Sequence, residues 1–144
     1  MTSTIDTIRQ DFAFLDEWEE RYRYIIDLGS ELPPFPDELR DEAHKVKGCV
    51  SQVWLDVEAG EGDDPVLTFQ GDSDAHIVRG LVAIVLALFS GRHASEIVVI
   101  DAEDTFRTLG LDEHLTPQRA NGLRSMVKRI RQAAQAALHR DAAE

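Results

Sequence analysis

Cys49 is the only cysteine in the chain, and it stands in the run Lys47-Gly48-Cys49-Val50-Ser51-Gln52-Val53-Trp54. A lone cysteine cannot close an internal disulfide or form a Cys-x-x-Cys redox pair. Nor can it supply the thiolate set of a structural zinc or iron–sulfur site. If it reacts, its product must pass to something outside the chain. If residues 45–49 are extended, Lys45, Lys47 and Cys49 point to one face. Two ammonium groups near a thiol would favour the thiolate, which is the nucleophile. Gly48 removes a side chain where another protein's sulfur can approach, and it permits a turn closed to other residues. The same pattern also fits a buried structural cysteine in a hairpin, since free cysteine is among the most buried residue types.

Few other residues compete for chemistry. The five histidines are scattered at 44, 76, 93, 114 and 139. His44 or His76 can be paired with Cys49 only through the fold, and no motif surrounds either. There is no His-x-x-x-His pair, glycine-rich phosphate loop or serine nucleophile elbow. Arg124, Lys128, Arg129 and Arg131 read as the wet face of the last helix, with cations toward its C-terminus complementing the dipole. Arg119 differs, because it falls in that helix's first turn, where the dipole disfavours a cation. An acidic partner such as Asp74, or the cysteine site itself, would explain it.

The elements that must position these residues follow from periodicity. Residues 5–29 read as two short helices, with Gly29 a C-terminal stop. Leu32-Pro33-Pro34-Phe35-Pro36 cannot stay helical and forms a rigid connector, followed by a helical turn at Asp37–Glu42. Val46–Glu58 and Val66–Gln70 are strand candidates, and the turn-rich stretch Gly60–Pro65 can close them into an antiparallel hairpin. A helix over Asp74–Phe89, capped by Ser73 or Asp72, is apolar nearly all round and should be the central one. Gly80 within it invites close approach of another backbone. Ile97-Val98-Val99-Ile100 has strand composition but is too short to assign. A short helix covers Thr105–Leu109. Thr116 caps a last long helix that has Pro117 at its first position. The order predicts an α+β fold in which several helices pack against a small antiparallel sheet.

Composition points the same way. Length fits a single domain over 1–144, and 43% hydrophobic with 29% charged residues is the balance of a soluble globule. No apolar run reaches a membrane span, and no secretory signal opens the chain, so a cytoplasmic location is expected. The net charge of −12 argues against nucleic acid as a partner. Residues 1–43 carry twelve acids against four arginines, which reads as a solvated surface or a docking face for a basic partner.

The motif Gly-Cys-x-Ser-Gln-Val-Trp resembles that of the SufE family of sulfur-acceptor proteins. The likeness extends to three further blocks in family order, spanning about residues 12–138. Trp18 to Gly29 is similar to the family's N-terminal helix. Gly71-Asp72-Ser73-Asp74-Ala75, with Ile77-Val78 and Gly80-Leu81, resembles the start of its central helix. His114-Leu115-Thr116-Pro117-x-Arg119-x-x-Gly122-Leu123 resembles the start of its last helix. The resemblance implies an α+β fold similar to the IscU-type scaffold. It implies that Cys49 accepts persulfide sulfur from a SufS-type cysteine desulfurase, stimulates that enzyme, and delivers sulfur to a SufB-containing SufBCD-type scaffold for iron–sulfur clusters. Gly48, Ser51 and Gln52 would shape the loop, with Asp74 and Arg119 near it at the partner surface. The resemblance also implies a hydrophobic shelter for the persulfide and a loop that swings out when the desulfurase docks. No cofactor of its own is implied, because the pyridoxal phosphate belongs to the desulfurase, and no metal, nucleic-acid or membrane partner either. The SufE and closely related CsdE branches both fit, as do a monomer and a weak homodimer.

Two rival functions remain at this stage. An independent cysteine enzyme needs a general base or an activating arginine beside Cys49. A non-catalytic binding module would use its acidic face and keep Cys49 merely buried.

Overall fold

In the computed structural model, which describes residues 4–143, Thr4 caps α1 (Ile5–Phe14) by accepting the Thr7 N–H at 3.1 Å. The second helix, α2 (Trp18–Ser30), follows after a short bend. Gly29 is not its stop but part of its packing face. The proline-rich connector leads to a 3-10 turn over Asp37–Leu39, shorter than the turn expected at Asp37–Glu42.

Two strands come next, β1 (Val53–Ala59) and β2 (Val66–Ser73), paired antiparallel with Val53 opposite Ser73 and Ala59 opposite Leu67. Alternation sends Leu67 and Phe69 into the core and leaves Val66 and Thr68 outside. The central helix α3 (His76–Phe89) lies on this sheet with nine of its residues buried. It crosses α2 through paired glycines. A Cβ on Gly80 would sit 2.1 Å from the Ile25 carbonyl oxygen, and one on Gly29 2.7 Å from the Gly80 nitrogen. Only glycine permits an approach that close.

The rest of the chain closes the core. A two-residue β3 (Arg92–His93) adds to the free edge of β2. It leads into α4 (Ala94–Ile97), α5 (Ala102–Thr108), α6 (Leu111–His114) and the long α7 (Pro117–Ala143). Thr116 caps α7 as expected, accepting the Arg119 N–H at 3.3 Å. Leu123, Met126, Val127, Ile130, Ala134 and Ala137 are its buried stripe. No described helix is long and apolar enough to cross a membrane.

The expected α+β fold, a small antiparallel sheet packed against several helices, is what the chain adopts. Several boundaries differ for physical reasons. The strand expected from Val46 begins at Val53, because residues 47–52 leave the sheet as a loop. Strand β2 runs on to Ser73, so α3 starts at His76 and neither Ser73 nor Asp72 caps it. The carboxylate of Asp72 is taken up instead by Arg40 and Arg79, each at 2.7 Å. Ile97–Ile100 is no strand. It ends α4 and continues as a turn, with Ile97 buried and Val99 exposed.

Candidate functional site

The cysteine sits on a hairpin loop whose two arms are held differently. On the ascending arm, residues 44–46 pair with the outer edge of β1. Val46 N–H donates to the Val53 carbonyl at 2.8 Å, and Leu55 N–H to the His44 carbonyl at 2.9 Å. Helix α7 grips this arm as well: the Arg129 guanidinium donates to the carbonyls of Lys45 (3.2 Å) and Ala43 (2.6 Å). On the descending arm everything converges on Gln52. Its N–H donates to Asp74 Oδ1 at 3.0 Å and its side-chain amide to Oδ2 at 3.4 Å. Its carbonyl accepts from the Ser73 hydroxyl at 2.7 Å. Between these clamps, residues 47–51 form the tip.

Within the tip Gly48 has φ +95°, a conformation that side chains rarely adopt, and a Cβ there would fall 2.5 Å from Ser125 Oγ. The turn directs Cys49 against α7. Its thiol donates to the Gly122 carbonyl at 3.6 Å, and a Cβ on Gly122 would lie 3.5 Å from the sulfur. Cys49, Val50 and Ser51 line one side of a cavity of about 220 Å³. Val78 and Leu81 of α3 and Met126 of α7 form its apolar wall, and Thr116, Gln118 and Arg119 stand along the rest.

Burial pushes the Cys49 thiol above its ordinary pKa, since no charged neighbour offsets the loss of water around the thiolate. The hydrogen bond agrees with that direction, because a thiol can donate to a carbonyl and a thiolate cannot. This corrects the activation expected from Lys45 and Lys47. The backbone turns at 47–48 instead of running extended. Lys45 pairs with Trp54 in the sheet, with its ammonium 4.0 Å from Glu42.

Gly48, Ser51, Gln52, Asp74 and Arg119 are thus all brought to the cysteine loop, in different capacities. Arg119 lines the cavity but forms no ion pair with Asp74, whose carboxylate is occupied by Gln52. Neither candidate histidine reaches the thiol. His44 is bonded to Asp41 at 2.7 Å and Asp56 at 3.3 Å, and His76 is exposed at the start of α3. Among the described residues, no group of three or more His, Cys, Asp or Glu is placed to hold a metal ion.

A family model described as SufE, Fe-S metabolism associated domain, matches residues 6–134. The chain belongs to the SufE family. That membership ties it to iron–sulfur metabolism. A SufE-like protein of Rhizobium meliloti (strain 1021), described as uncharacterized, is 63% identical over 139 residues, covering 96% of this chain and 99% of its own. A second uncharacterized SufE-like protein, from Rhizobium etli, is 57% identical over 133 residues, covering 92% and 90%. The solution structure of a hypothetical protein from Thermus thermophilus superposes with a TM-score of 0.72 at 20% identity, over 94% of this chain and 96% of that one. At that identity the likeness speaks for the fold.

Several residues of this SufE site escape sequence reading. Gly122 and Ser125 form the surface on which the loop rests, one helical turn apart on α7. The one signal of a docked backbone is that these two small residues lie three apart on one face of the helix. Arg129 and Arg131, expected on a wet face, bond loop carbonyls at Ala43, Lys45 and Ile100. The buried Asp72 holds Arg40 over the Trp54 ring, 5.3 Å from its centroid, and so braces the motif's tryptophan.

Proposed function

We propose that Cys49 is the sulfur acceptor of this protein. Its thiolate attacks the outer sulfur of a persulfide carried by a SufS-type cysteine desulfurase. One sulfur–sulfur bond breaks and another forms: the donor leaves as a thiolate, Cys49 becomes Cys49–S–SH, and no net oxidation or reduction occurs. The proton lost from the Cys49 thiol goes to water, and the donor thiolate can take one back. A second transfer hands the sulfur to a SufBCD-type scaffold. The pyridoxal phosphate that makes the first persulfide belongs to the desulfurase, and the carrier step needs no cofactor of its own. Gly48, Ser51 and Gln52 shape the loop, while Asp74 and Arg119 face the partner.

The observation that carries this reading is the cavity on which the Cys49 loop is closed. It has an apolar wall of Val78, Leu81 and Met126, has room for an added sulfur atom, and is lined by no histidine or carboxylate. A stand-alone hydrolase would need a base within hydrogen-bond reach of the thiol. A carrier needs shelter and the absence of a second thiol, because a resolving cysteine would expel the cargo as sulfide. Loop movement on docking fits the raised thiol pKa, since attack requires a thiolate in water or at the partner's site.

Intact mass spectrometry under non-reducing conditions tests the proposal. Incubation with an active cognate desulfurase and free cysteine should add reducible sulfur to the wild type and none to Cys49→Ser. No gain on the wild type would sink it.

A further inference from the structure

Next to the sheltered thiol stands an exposed apolar side chain. Val50 is 77% exposed at the loop tip, yet it also forms part of the cavity rim. Adjacent residues on such a tip present opposite sides: Cys49 faces α7 and Val50 faces solvent. The clamps at Val46–Val53 and at Gln52 hold both arms, so a rearrangement is confined to residues 47–51. Gly48 already occupies a backbone region closed to most residues and is free to leave it.

From this geometry we infer that Val50 and Cys49 exchange places. This rests on the sulfur-acceptor reading and adds how the thiol is released. When the tip turns over, Cys49 moves outward to meet a donor persulfide, and Val50 rotates into the space bounded by Val78, Leu81 and Met126. The valine then takes over the contacts that Cys49 gives up. Lining atoms that lose a neighbour forfeit its dispersion contacts, so an outward swing without a replacement would cost more. Burying a valine also removes its surface from water, offsetting what the cysteine loses on leaving. Val50 is therefore a positioning residue that sets the balance between the sheltered and the presented thiol.

The test uses the full chain without any desulfurase. The rate of Cys49 alkylation by iodoacetamide is followed across pH for the wild type, Val50→Thr and Val50→Asn. Threonine keeps the branched shape of valine but carries a hydroxyl into an apolar space, which is unfavourable. If alkylation proceeds through the turned-over tip, Val50→Thr slows it about tenfold, equivalent to 1.4 kcal/mol. Val50→Asn slows it further. The pH midpoint and the urea unfolding midpoint stay where they are, because Val50 is exposed in the sheltered state. Unchanged rates in both variants overturn the exchange, including the case in which the same variants weaken sulfur transfer from a desulfurase, which would make Val50 a docking contact only. The acceptor reading stands or falls separately, on persulfide gain at Cys49.

Discussion

Gly48→Ala separates the loop from the body of the protein more sharply than any other single change. An alanine held at φ +95° costs about 1–3 kcal/mol. Its Cβ would also lie 2.5 Å from Ser125 Oγ. The hydroxyl can rotate away, but it then loses its 3.0 Å bond to the Asn121 carbonyl, worth about 1 kcal/mol. The closed tip is therefore destabilised by about 2–4 kcal/mol. Global stability falls by less, since a chain that opens its tip escapes the strain, and the loss cannot exceed the free energy of opening. Iodoacetamide should modify Cys49 at least about 30-fold faster, the factor that corresponds to about 2 kcal/mol. Urea unfolding should keep its slope and shift its midpoint only slightly. Equal alkylation rates would refute the argument that the Gly48 turn holds the thiol in. A large shift in urea midpoint would refute the claim that the strain is confined to the tip.

Gly122→Ala should act in the opposite sense. The added methyl meets Cys49 Sγ at an ordinary 3.5 Å and removes a helix-interior glycine, so stability rises by up to about 1 kcal/mol and alkylation does not speed up. Gly80→Ala forces α2 and α3 apart at the Ile25 carbonyl, and the helix-propensity gain does not offset it. A net loss of about 2 kcal/mol should appear in urea unfolding. Asp72→Asn leaves Arg40 and Arg79 without their shared carboxylate. Because both arginines reach solvent, the loss is about 2 kcal/mol by thermal or chemical unfolding, below that of a fully buried pair. The pH dependence follows from the raised Cys49 pKa. The folded chain holds the thiol proton more tightly than the unfolded one. Its stabilising effect is complete below the ordinary thiol range and is lost as pH climbs through the raised value. Stability measured upward from about pH 8 should fall more steeply in the wild type than in Cys49→Ser.

Much of this was legible in the sequence because it depends on local pattern. The all-round apolar character of residues 76–89 marks a central helix without reference to its neighbours, and Thr116-Pro117 marks the start of α7. Gly80 signals a close crossing, though its partner surface at Ile25 and Gly29 does not show in sequence. The motif block Gly48–Trp54 marks the loop itself. What stayed hidden depends on long-range contact. The strand candidate runs from Val46 to Glu58 although the alternation covers only Gln52 to Glu58, and the departure of residues 47–52 from the sheet follows from Gln52 binding Asp74 and from α7 lying beneath Cys49. Lys45 and Lys47 looked like activators of the thiol only under an extended backbone. Asp72 looked like a helix cap, and its use by two distant arginines is a tertiary choice. The two-residue β3 lies below any periodicity signal.

The environment of Cys49 is supplied largely from the far end of the chain. Gly122, Ser125, Met126 and Arg129 all belong to the last helix, and the carbonyl that receives the thiol lies 73 residues downstream. At about 5–20 residues per second, ribosomal synthesis leaves roughly 4–15 s between making the cysteine and making that carbonyl. A newly made chain therefore passes through a period in which the Cys49 thiol is present and its cover from α7 is not. A chain shortened before α7 would keep that vulnerability permanently, with the motif intact and only Val78 and Leu81 of its wall in place.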